Sequence, residues 1–143
     1  MQNAEAILRQ QYAGRRVLVV EDDPLNAEVM EALLCGIGWQ VDLACNGREA
    51  VELAGSAAYD IVLMDLKMPE MDGLEATRRI KRIPGMQAVP VITITANIFR
   101  ADRESCLSAG AADYLTKPLD LPVFYATLLK WLGFPGDPAV QPA

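Results

Sequence analysis

"VLVVEDDPLN", residues 17–26, is the stretch on which the fold turns. Its four apolar residues read as a buried strand. The strand runs straight into Glu21, Asp22 and Asp23, three adjacent carboxylates that repel one another and resist desolvation. Asp23-Pro24 then reads as a helix start, with the aspartate as N-cap and the proline in the first turn. The helix runs to about Leu34, with Ala27, Met30, Leu33 and Leu34 as its apolar face, and Gly36 and Gly38 end it. The unit is strand, acidic turn, helix.

Working outward, the unit recurs. "WQVDLA" alternates, with Trp39, Val41 and Leu43 on one side and Gln40 and Asp42 on the other, as in a half-solvated edge strand. "NGREAVELAG" reads as a helix capped by Asn46. "DIVLMD" is apolar on both faces and therefore central, and "DGLEATRRIKRI" is a helix with its cations toward the C-terminal end. "VPVITI" is another doubly buried strand. Residues 98–109 form a helix and "ADYLT" a short strand. Residues 120–132 form a helix presenting Val123, Phe124, Leu128 and Trp131. Residues 4–12 suit a short leading helix. Strands alternating with helices at short spacing imply a parallel sheet covered on both faces. An alternating second strand at the edge favours the order 2-1-3-4-5, a doubly wound (βα)5, flavodoxin-like three-layer α/β sandwich. The expected organisation is a linker or short helix over 1–14, one domain over 15–134, and a disordered tail over 135–143.

Bulk properties narrow the function. The chain has 143 residues, 52% hydrophobic, with no apolar run of membrane-spanning length and no signal-peptide core near its start. A net charge of −6 argues against nucleic acid as a direct partner. The absence of histidine excludes imidazole acid–base chemistry and a phosphohistidine on this chain. Cys35, Cys45 and Cys106 are odd in number and unclustered, and read as buried or half-buried thiols in a reducing, cytoplasmic setting.

In a doubly wound sheet, function sits at the carboxyl ends of the strands. Those ends are Glu21-Asp22-Asp23, Asp65, Thr95-Ala96 and Lys117-Pro118. Several carboxylates, a hydroxyl and an ammonium therefore converge. A hard divalent cation would offset the repulsion, and oxygen ligands favour magnesium. Such a set suits phosphoryl transfer, with Asp65, on the most central strand, as nucleophile. A phosphatase of the aspartate-nucleophile kind would need a second aspartate where Lys67 stands, and a nucleotide- or flavin-binding module would need a glycine-rich loop where the acids stand.

Four pieces, "VLVVEDDP", "DIVLMDLKMPEMDG", "ITITA" and "AADYLTKP", in this order across roughly residues 15–133, resemble a response-regulator receiver domain of the chemotaxis-regulator type. The resemblance implies Asp65 as phosphoacceptor, and Glu21 and Asp22 as the acidic pair holding magnesium, with Asp22 the direct ligand. It implies the Lys67 backbone carbonyl as a further ligand, Thr95 as switch hydroxyl, Tyr114 as switch aromatic, Lys117 as the phosphate-binding lysine, and a cis peptide before Pro118. It makes Lys67 and Asn97 the side chains that tune phosphoryl lifetime, here expected to be moderate to long. One departure stands out: Glu21 replaces the aspartate many members carry, and its longer side chain is expected to reach the metal through water. "EDDPLNAEV", "TANIFRADRESCLSAGAADYLTKPLD" and "YATLLKWL" further resemble receiver modules of hybrid sensor histidine kinases. The implied partner is a histidine kinase or histidine phosphotransfer protein, with no direct contact to membrane. The chain is expected to catalyse only its own phosphorylation and dephosphorylation. The resemblance also allows a homodimer through residues 98–109, the "ADYLT" strand and residues 120–132, and favours a module of a larger kinase over a stand-alone protein.

Overall fold

The computed structural model describes residues 3–65, 73–96 and 100–133, the side chains of 100–103 excepted. In chain order the elements are α1 (Ala4–Gln11), β1 (Arg16–Val20), α2 (Pro24–Cys35), β2 (Gln40–Ala44), α3 (Gly47–Ser56) and β3 (Ile61–Asp65). They continue with α4 (Gly73–Lys81), β4 (Val91–Thr95), α5 (Arg100–Ala109), β5 (Asp113–Thr116) and α6 (Leu121–Trp131). The strands form one parallel sheet in the order β2-β1-β3-β4-β5, as the alternation pattern predicts.

The doubly apolar strands follow from two cores. Val17 and Val19 of β1, Ile61 and Leu63 of β3, and Ile92 and Ile94 of β4 join one cluster with α1, α2 and α6. Leu18 and Val20, Val62 and Met64, and Val91 face the opposite cluster, with α3 and α4. Successive side chains point to opposite faces, so only a continuous apolar run satisfies both layers. Helix α5 packs beside α4 through Cys106, Ala111, Leu74 and Tyr114.

Asp23 caps α2 by accepting from the Leu25 N–H at 3.0 Å, and Asn46 caps α3 by accepting from the Glu49 N–H at 2.8 Å. Gly38 takes φ +85 between α2 and β2, where a Cβ would also press to 3.2 Å on the Ala13 Cβ. Helix α1 has only eight residues, too short to persist alone, and is held by burial of Ile7 and Leu8 against α6.

Three details depart from the sequence reading. Leu43 is 37% exposed rather than buried with Trp39, because β2 is an edge strand and its start alone lies in the α2 cluster. Val123 is 50% exposed; the buried stripe of α6 is Phe124, Tyr125, Leu128 and Leu129, about a turn-quarter round from it. Cys35 and Cys45 are exposed and Cys106 alone is buried. Cys35 lies one position past the inward-facing Leu34, and the Cys45 thiol donates to Glu49 at 3.4 Å in the loop before α3. No helix among the described residues is long and apolar enough to cross a membrane.

A polar network pins the open side of the sheet. Asp42 accepts from the Tyr59 hydroxyl at 2.7 Å and from the Arg16 guanidinium at 2.8 Å, and the Arg16 N–H donates to Asp60 at 2.8 Å. The Tyr59 hydrogen bond first, then Arg16, holds the Asp42 carboxyl below its ordinary pKa, while burial and Asp42 push Tyr59 up to about 12.

Two outcomes follow. Leu8→Ala, at a fully buried site, lowers unfolding free energy by about 2–4 kcal/mol in urea titrations. Asp42→Asn lowers it by about 1–2 kcal/mol at pH 7. Because the folded-state carboxyl titrates below its unfolded value, Asp42's contribution is complete above that value and is lost as pH falls through the folded one. The deficit of Asp42→Asn therefore shrinks in titrations repeated at increasingly acid pH.

Candidate functional site

Parallel pairing brings every strand's carboxyl end to one edge. Asp65 is the last residue of β3, Thr95 the last of β4, and Glu21 and Lys117 follow β1 and β5 directly. The backbone fixes the flanks: the Glu21 N–H donates to the Ala44 carbonyl at 2.9 Å, and the Lys117 N–H to the Thr95 carbonyl at 2.9 Å. The Lys117-Pro118 peptide is cis, as the resemblance implied.

Carboxylate oxygens of Glu21, Asp22 and Asp65 lie within 4.8 Å of one another. Glu21 and Asp65 are buried, 6% and 9% exposed, whereas Asp22 is exposed. Lys117 reaches over from beyond β5, its Nζ 2.9 Å from Glu21 Oε1 and 3.5 Å from Asp65 Oδ2. The other Glu21 oxygen accepts from the Asp23 N–H at 3.3 Å. Burial, then contact with Asp65, pushes the Glu21 carboxyl above its ordinary pKa despite the opposing Lys117. Burial alone would pull the Lys117 ammonium down; its hydrogen bond to Glu21 and the charges of Asp65 and Glu21 outweigh that and raise it.

The donor set is all oxygen, close-spaced and carries more negative than positive charge. It fits a hard divalent cation bound through one or two carboxylates and water. Beside it opens a cleft of about 690 Å³ with an apolar wall that includes Val29, Met30, Leu33, Leu119 and Leu121.

The structure thus brings together Glu21, Asp22, Asp65 and Lys117. Thr95 is buried at the adjoining strand end. Tyr114 lies two residues back on β5 from the partner of Thr95, opposite Thr93, half-buried against Leu74 and Cys106. Lys67 and Asn97 lie outside the described residues. Sequence reasoning did not foresee that Lys117 sits closer to Glu21 than to Asp65. The extra methylene of glutamate was the available signal.

Fold and site define a doubly wound α/β domain with an acid-and-lysine cleft at the β1/β3 switch point. A family model of the response regulator receiver domain matches residues 17–128, and the chain belongs to that family. Such domains are the receivers of two-component and phosphorelay signalling. Among curated relatives, the signal transduction histidine-protein kinase BarA of Escherichia coli K12 is 38% identical over 115 residues, 80% of this chain but 12% of BarA. The chain therefore spans about an eighth of that relative's length. The receiver domain of sensor histidine kinase PA1611 from Pseudomonas aeruginosa PAO1, solved with magnesium in its active site cleft, is 43% identical. It superposes with a TM-score of 0.79, covering 85% of this chain and 99% of that one. The Saccharomyces cerevisiae receiver of Ssk1, solved with the histidine phosphotransfer protein Ypd1, is 28% identical with a TM-score of 0.76, covering 83% and 89%.

Removing the ammonium leaves Glu21 and Asp65 facing each other without their shared cation. Lys117→Ala lowers the unfolding free energy of the metal-free protein by about 1–3 kcal/mol at pH 8. The deficit is smaller at pH 5, because a carboxyl whose folded pKa is raised costs stability only where it must ionise. Urea titrations at the two pH values check both statements.

Proposed function

We propose that the chain is a phosphoacceptor that takes a phosphoryl group from a partner phosphohistidine onto Asp65, with magnesium held at Asp22, Asp65 and Glu21. The observation that carries this reading is the gathering of three carboxylates and Lys117 at the ends of β1, β3 and β5. In the reaction, an Asp65 oxygen attacks phosphorus, the phosphorus–nitrogen bond breaks, and the imidazole nitrogen takes up a proton. Lys117 pairs with a phosphoryl oxygen, and the Thr95 hydroxyl donates to another. Magnesium, when bound by these carboxylates, would supply charge neutralisation for the transferring group. Lys67 and Asn97 are the residues assigned to tuning the lifetime of the phosphoryl group. Movement of Thr95, with Tyr114 following, passes the change to the surface of α5, β5 and α6, where a second copy can also pair.

The partner is a histidine kinase or histidine phosphotransfer protein. Its histidine enters over the cleft, with its apolar neighbours on Leu25 and Val29, 68% and 51% exposed on α2. The reading takes residues 15–134 as the receiver unit, acting in the cytoplasm as a module of a hybrid kinase. The likeness to the receivers of BarA and PA1611 supports the last point.

With acetyl phosphate and magnesium, intact-mass measurement finds one added phosphoryl group on the wild type and none on Asp65→Asn. Equal labelling of the variant would overturn the assignment. Magnesium at roughly tenfold Kd stabilises the wild type by about 1.4 kcal/mol. Asp22→Asn loses most of that gain.

A further inference from the structure

Helix α1 precedes the stretch shared with the family, residues 17–128, yet it is packed into the domain. Its seat is α6: Ile7 and Leu8 join Tyr125, Leu128 and Leu129 in one apolar cluster, with Ala4, Tyr12 and Leu132 at the margin. Glu5 and Arg9, paired at 2.7 Å, lie near enough to Tyr125 to act on its hydroxyl, which burial first and then the Glu5 charge push above its ordinary pKa. The far end of the connection is pinned. The Gly14 N–H donates to the Gly38 carbonyl at 2.8 Å, and the Gln40 N–H to the Arg15 carbonyl at 2.8 Å. Gly14 takes φ +85, which glycine adopts freely. The ends of α1 are closed within its own segment: Asn3 accepts from the Ala6 N–H at 2.9 Å, and the Tyr12 N–H donates to the Leu8 carbonyl at 3.0 Å. Two buried side chains thus stand against the entropy of ordering eight residues, a far weaker hold than the sheet enjoys. Trp39, next to the hinge partner Gly38 and in the same cluster, buries its Nε1 with no hydrogen-bond partner among the described residues. The closed arrangement carries that cost as well.

We propose that α1 is a strap that opens about Gly14 as one unit, ahead of the rest of the domain, and that its closure is coupled through α6 to occupancy of the site at Lys117. Only Pro118, Leu119 and Asp120 stand between Lys117 and the first residue of α6. Asp120 caps that helix by accepting from the Val123 N–H at 3.2 Å. Tyr125 and Leu129, the seat of the strap, follow about one and two turns further along the same helix. A strap closed on them favours one placement of α6, and a group drawn onto Lys117 biases the opposite end. Each equilibrium then changes the other by the same factor. The opening of the strap stands independently; its coupling to the site rests on the proposed function.

Native-state amide hydrogen exchange of the full chain tests both parts. The amides of residues 8–12 exchange roughly a hundredfold or more faster than those of β1 and β3, and low urea accelerates them less, because opening the strap exposes little surface. Exchange of residues 8–12 at the rate and urea dependence of β1 and β3 would make α1 part of one cooperative unit and overturn the strap. The second arm adds magnesium and beryllofluoride, a mimic of the phosphoryl group. Filling the site changes exchange of residues 8–12 by roughly threefold or more. The double variant Ile7→Ser/Leu8→Ser, which holds the strap open, changes the affinity for the mimic by the same factor in calorimetry, with protection of β1 and β3 showing that the domain stays folded. A filled site with unchanged exchange at residues 8–12 would overturn the coupling. Wild-type protein that fails to take up the mimic would defeat the proposed function and the coupling with it, while the urea dependence would still decide the strap.

Discussion

The constraint on which this structure depends is the accumulation of negative charge at one edge of a parallel sheet. Parallel strands point their carboxyl ends the same way, so residues distant in sequence arrive together. Here they deliver Glu21, Asp22 and Asp65 to a space where carboxylate oxygens lie within 4.8 Å. Like charges so close and partly desolvated are unfavourable. The protein offsets them in part with Lys117, whose ammonium is shared between Glu21 and Asp65. What remains is negative and made of hard oxygen donors, which is the condition for attracting a divalent cation and, with it, a phosphoryl group.

The remainder of the fold makes that arrangement rigid. Both faces of the sheet are packed, so a one-residue slip of β1, β3 or β4 would exchange every side chain between two separately close-packed cores. The edge is fixed by Asp42, Tyr59 and Arg16. At the opposite end from the site, Lys81 donates to the carbonyls of Met86, Gln87 and Val89, and its stem leaves room only for a glycine at position 110, where φ is +113. The loop before β4 is thereby tied down, and β4 carries Thr95 to its place beside Asp65.

Elements governed by local chemistry were legible in the sequence. The continuous apolar runs gave the central strands, Asp23-Pro24 gave the start of α2, and the residues at four strand ends gave the cleft. Properties decided by tertiary contact were not. Nothing in "AEAILRQQ" says that Leu8 is fully buried under α6. Leu43 satisfies the alternation of an edge strand, yet its cover is missing. The exposed Cys35 and Cys45 sit among apolar neighbours in sequence but face outward, because helix phase and loop position decide exposure, not composition. The Glu21–Lys117 pair joins residues 96 apart, and its closeness depends on side-chain length across the two intervening strands.

Charge convergence at the sheet edge, if it serves phosphoryl transfer as proposed, leaves its mark on Asp65. Its most direct test is chemical trapping. After phosphorylation in the presence of magnesium, borohydride reduces an acyl phosphate to the corresponding alcohol, and peptide mass mapping locates the reduced residue. The account predicts a single homoserine at position 65. Reduction at Glu21 or Asp22, or phosphorylated protein that resists borohydride altogether, would contradict it.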